Sequence, residues 1–112
     1  MIAERDLIAM IERLEADALR HWIELGWITP EPSDAGFTFD DPDVARVRLI
    51  CDLSYDLDVG EESMPIILSL IDQLHDARRT LRAFASVLDE QPDEVRARIA
   101  ARLRALLRDD KP

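Results

Sequence analysis

Two of the three glycines and three of the six prolines fall between residues 26 and 42, and on either side the apolar residues recur at helical spacing. Proline lacks an amide hydrogen and cannot sit inside a helix, so no helix crosses this stretch. The chain must therefore fold as helices around a short non-helical insert. Before it, Leu7, Ile8, Ile11 and Leu14, then Ala18, Leu19, Trp22, Ile23 and Leu25, lie three and four apart, which predicts two short amphipathic helices joined near residues 13–15. Gly26 follows where a residue of positive φ closes a helix, and Pro30 and Pro32 stop any continuation.

Within the insert, Trp27-Ile28-Thr29 and Phe37-Thr38-Phe39 bracket the turn-forming residues 32–36. This predicts a small β-hairpin, with Phe37 and Phe39 on one face at period two. Asp41-Pro42-Asp43 then suits a helix start, with Asp41 as N-cap, Pro42 in the first helical position and Asp43 near the positive end of the dipole. The core face of that third helix is Val44, Val47, Ile50 or Cys51, and Leu53.

Gly60 and Ser63 separate this part, residues 1–62, from a helical extension over residues 63–112. Its heptad helix is expected over residues 64–88. Ile67, Leu70, Leu74, Ala77, Leu81, Phe84 and Leu88 alternate steps of three and four, a seam of three repeats suited to pairing helices. Residues 89–94 end that helix and begin a terminal one over residues 92–108, with Val95, Ile99, Leu103 and Leu106 as its stripe and five arginines around it. Either the terminal helix folds back on the seam or two chains pair along it. Its short stripe leaves part of the seam uncovered, which favours a homodimer.

Charge is unevenly divided. Residues 1–62 hold 16 acids against 5 arginines, a net of -11, whereas residues 63–112 hold 8 acids against 9 bases, a net of +1. A DNA-binding surface neutralises phosphates with Lys and Arg, so direct DNA binding is not expected of the acidic half. The same field draws a basic protein surface. Residues 31–62 alone carry 10 acids and 2 arginines. Asp40, Asp41, Asp43, Asp52, Asp56, Asp58, Glu61 and Glu62 are the expected partner-binding acids, with Trp27, Phe37, Phe39 or Tyr55 as apolar anchors.

Helix, wing and helix over residues 19–53 form a mainly α layout, a winged helix-turn-helix with a small β-hairpin wing followed by a long heptad helix and a terminal helix. LRHWIELGWITP resembles the second helix and following strand of the MerR-type fold, and GFTFDDPDVARVRLICDL its wing and third helix. The short length, Trp22 and Trp27, the wing running into FDDPDVARV, and DQL leading into the heptad helix resemble the CbpM family of chaperone modulators over about residues 2–88. That resemblance implies a protein that binds the J-domain of a DnaJ-like curved-DNA-binding co-chaperone and inhibits its co-chaperone and DNA-binding activities. J-domains present a basic second helix, the kind of surface an acidic modulator occupies. Thr38 stands between the wing aromatics where DNA-binding members commonly carry arginine, and of the usual phosphate-facing cations Arg20 remains, spaced to pair with Glu24. The alternative is a MerR-like DNA-binding transcriptional regulator.

Catalysis is not expected. His21 and His75 lie on different helices, and there is no phosphate loop, nucleophile elbow, calcium loop or zinc spacing, so no cofactor or metal is implied. The apolar runs are far shorter than the ~20 residues that span a bilayer, and the acidic N-terminus has no signal-peptide layout. These features predict a cytoplasmic protein without membrane insertion. Cys51, the single cysteine, sits in an apolar run and reads as a small core residue.

Overall fold

The computed structural model describes residues 1–109; residues 110–112, assigned from sequence to the helical extension, lie outside the described residues. Two compact units are present, Met1–Ser69 and Leu70–Pro112. In the first, β1 (Ile2–Ala3) leads into α1 (Glu4–Met10) and α2 (Ala16–Glu24). Glu4 and Asp6 in the first turn of α1, and Asp17 in that of α2, oppose the positive helix ends. Leu7, Ile11, Leu14, Leu19 and Trp22 are buried, as their spacing predicts.

At the end of α2 the chain forms a Schellman closure. Gly26, at φ 79°, donates its amide to the Ile23 carbonyl, and Trp27 donates to the Trp22 carbonyl, both at 3.0 Å. This motif brings the residue after the glycine back over the last turn, and the two indole rings stack with centroids 6.5 Å apart. Trp27 is thereby fixed in the core by backbone geometry rather than by strand pairing.

The insert differs from the sequence expectation in its first strand. Residues Trp27 to Thr29 are not strand; the hairpin pairs β2 (Glu31–Ser33) with β3 (Gly36–Phe39) across Asp34 and Ala35. Pro32 tolerates this position because β2 is an edge strand and needs no amide on its outer side. β1 pairs along the other edge of β3, Ile2 with Phe39 and Ala3 with Thr38, giving an antiparallel sheet of order β1-β3-β2. Two residues carry no readable periodicity, so β1 had no signal in the sequence.

α3 (Asp41–Cys51) starts one residue earlier than expected. Asp40, not Asp41, is the N-cap: the Asp43 amide donates to Asp40 Oδ1 at 2.8 Å and the Asp40 amide to Asp43 Oδ2 at 3.1 Å, a reciprocal capping box. Burial holds the Asp43 carboxyl above its ordinary pKa, aided by the neighbouring Asp40. Asp40→Ala is expected to lower stability by about 1 kcal/mol, while Asp41→Ala changes little; urea titration of the two variants reads the difference.

Val44, Val47, Ile50, Cys51 and Leu53 all face the core. From α3 the backbone widens into a π-helical turn, Asp52–Asp56, closed by the Leu57 amide on the Asp52 carbonyl at 3.1 Å. Nothing in residue spacing predicts it. α4 (Met64–Asp89) follows. Met64 and Leu68 are buried, and the first compact unit includes both.

In the second unit, α4 continues to Asp89 and α5 spans Asp93–Asp109. α5 buries no residue among those described. Nor does it cover the seam. Leu70, Leu74, Leu81 and Phe84 remain 48 to 67% exposed and Ala77 is exposed, with Leu88, and Ile67 in the first unit, half-buried.

Candidate partner-binding face

Asp52 and Asp56, four residues apart on the π-helical turn after α3, fall on one side of it, as they would in any helix. Arg13, from the α1–α2 turn, forks between them, with Nη1 2.5 Å from Asp56 Oδ1 and Nη2 3.0 Å from Asp52 Oδ1. Its guanidinium also lies 5.6 Å from the Tyr55 ring centre. The hydrogen bond to Asp56 leads the effects that raise the arginine's pKa. Tyr55 in turn tilts against Trp22 at 6.1 Å, so the ring is braced from within while 40% of the residue stays exposed. Burial of its inner part raises the phenol pKa.

Leu57 is 68% exposed. Sequence reading missed it because it sits between two aspartates beyond the last core position of α3, where an apolar residue has no periodic partner. Around Tyr55 and Leu57 in sequence stand Asp52, Asp56, Asp58, Glu61 and Glu62. Glu61 meets His21 of α2, Oε1 to Nε2 at 2.5 Å. Asp58, at φ 54°, Glu62 and Asp41 have no ion-pair partner among the described residues. Five of the eight expected acids thus flank two exposed apolar side chains in sequence. Asp40 and Asp43 are instead occupied in capping α3.

Two of the four expected apolar anchors are removed by burial. Phe39 has no accessible surface and Trp27 only 7%; Phe39 lies at the end of β3 that packs into the core, opposite Ile2. Phe37 is half-buried under Arg20, whose guanidinium lies 5.4 Å from the ring centre. Tyr55, 40% exposed, is the most accessible of the four.

Arg20 is not paired with Glu24. It is clamped by Glu4: Nε and Nη2 both donate to Oε2, at 3.2 and 3.0 Å, and Nε lies 3.0 Å from Oε1 as well, a charge-assisted contact. Gly36 packs beside it, and its φ of 119°, rather than space, is what calls for glycine: a Cβ there would meet Arg20 Nη2 at an ordinary 3.5 Å. The one arginine of α2 is therefore neutralised from within, on the helix that in a helix-turn-helix enters the DNA groove.

Cys51 is buried, and burial raises its thiol pKa, which disfavours the reactive thiolate. Among the described residues no three metal-ligating side chains cluster, and no helix is long and apolar enough to cross a membrane.

Two helices, a three-stranded sheet whose hairpin forms the wing, and a third helix define the class as a winged helix-turn-helix. Residues 5–85 match the family described as MerR HTH family regulatory protein, and the chain belongs to that family. Membership points to a regulator. No curated protein and no solved structure matches the chain. α5 lies wholly beyond the matched residues.

Proposed function

We propose that the chain is a chaperone modulator that binds the J-domain of a DnaJ-like curved-DNA-binding co-chaperone and inhibits its co-chaperone and DNA-binding activities. The observation that supports this reading is the pairing of exposed Tyr55 and Leu57 with the surrounding acids, while the arginine of the recognition helix is held by Glu4. A basic amphipathic helix matches such a face in both respects. The likeness of residues 2–88 to CbpM proteins supports the same partner. Tyr55 and Leu57 supply desolvated contact, and Asp58 and Glu62 meet basic side chains directly. Asp56 keeps Arg13 on one oxygen and offers the other.

Binding to a purified J-domain is expected to weaken by about tenfold or more between 0.05 and 0.5 M salt, because exposed charge pairs are screened within a Debye length. Asp56→Asn with Asp58→Asn is expected to weaken it further. An affinity insensitive to both removes the electrostatic account. Saturating modulator is also expected to suppress J-domain stimulation of Hsp70 ATP turnover; an unchanged rate, together with a gel shift on duplex DNA, would instead establish a DNA-binding regulator. The α4 seam pairs two copies in this reading, which makes the modulator a homodimer.

A further inference from the structure

The Val95, Ile99, Leu103 and Leu106 stripe of α5 lines an open groove of about 560 Å³ together with Arg98 and Arg102. Ile99, Leu103 and Leu106 are 38, 52 and 52% exposed, and Arg98 and Arg102 have no ion-pair partner among the described residues. Most helical stability in proteins comes from packing an amphipathic face rather than from intrinsic propensity. Whatever covers the groove must bring apolar surface and carboxylates together. Residues 52–62 do so: they hold five acids and no base, beside exposed Tyr55 and Leu57.

We propose that the arginine-edged apolar stripe of α5 docks on the acidic face at residues 52–62 of a second copy of the chain. Two copies exchanging α5 in this way satisfy both faces through one two-fold axis, the closed arrangement that homodimers favour. Duplex DNA supplies anions but no apolar surface. An anionic bilayer supplies both but is opposed by the net charge of -10. The docking also makes α5 a competitor of the basic partner, and this second consequence rests on the function proposed above.

The full chain carrying Arg98→Lys and Arg102→Lys keeps the charge and gains amines for zero-length carbodiimide cross-linking. In a mixture with ¹⁵N-labelled chain, cross-links of mixed isotope between positions 98 or 102 and residues 56–62 are expected. Their absence, or cross-links confined to one chain, overturns the docking. So does sedimentation with phosphatidylglycerol vesicles that Arg98→Glu/Arg102→Glu abolishes in the absence of those cross-links. For the competition, the probe is a synthetic arginine-rich amphipathic helical peptide. If α5 occupies the face nine-tenths of the time, Arg98→Glu/Arg102→Glu tightens probe binding by about tenfold, whereas the charge-matched Arg78→Glu/Arg79→Glu does not. Equal tightening by both overturns the competition. Mixed-isotope cross-links with no probe binding by any variant sustain the α5 docking and refute the partner reading alone.

Discussion

Phe39→Ala is expected to cost about 3–5 kcal/mol, the range for truncating a buried aromatic, out of a total that for small domains is about 5–15 kcal/mol. Phe39 is the largest fully buried side chain and sits on β3, the central strand, opposite Ile2 of β1. Its removal opens a cavity that the surrounding helices cannot close without giving up their own contacts. Phe37→Ala, two residues earlier on the same strand, removes a half-buried ring lying under Arg20 and is expected to cost about 1 kcal/mol or less, in the range of surface cation–π contacts. Urea unfolding followed by circular dichroism measures both. Similar small losses for the two would mean that Phe39 is not the more deeply buried of these two residues on one face of β3. That result would also return Phe39 to the list of available anchors.

The second large effect is expected at the α4 seam. Leu81→Glu leaves the single chain almost untouched, because Leu81 is 67% exposed there. In a dimer it removes two seam leucines and introduces two carboxylates, a loss of at least about 4 kcal/mol from apolar burial alone. That corresponds to about a thousandfold rise in the dimer dissociation constant. Ser86→Glu, on the opposite side of the same helix, is the control and is expected to leave the dimer intact. Sedimentation equilibrium at micromolar concentration reads both, with circular dichroism confirming that helix content is retained. A wild-type chain that sediments as a monomer, or a Leu81→Glu chain that still pairs, removes the seam as an interface.

The helices were legible because amphipathic spacing is a local property. Leu7, Ile11 and Leu14, and Val44, Val47 and Ile50, are buried where their three-and-four spacing implies, and the α4 stripe lies within one helix. The hairpin was legible as a turn but not as a strand pair. Trp27 and Ile28 are apolar and aromatic, which suits a strand, yet the Schellman closure after α2 captures them for the core, and Glu31 to Ser33 take the edge although their composition argues weakly for it. Phe37 and Phe39 looked equivalent at period two. Their fates diverge because of what each meets: Phe39 the core at the end of β3, and Phe37 the guanidinium of an arginine 17 positions earlier in sequence.

The acidic face shows the same division. Its charge was visible in composition, but its availability was not. Pairing of Asp52 and Asp56 with Arg13 depends on a residue about 40 positions away. Capping by Asp40 and Asp43 could be anticipated in kind, though its register shifted by one residue.

By itself the sequence determined the helical elements, the interruption between Gly26 and Pro42, the acidic bias of residues 1–62 and the seam of α4, all of which are set by neighbours a few positions apart. Only the tertiary structure decided which side chains reach solvent. It buried Trp27 and Phe39, gave Arg20 to Glu4, and left Tyr55 and Leu57 exposed beside acids. Exposure and ion pairing depend on residues distant in sequence, and folding alone brings those together.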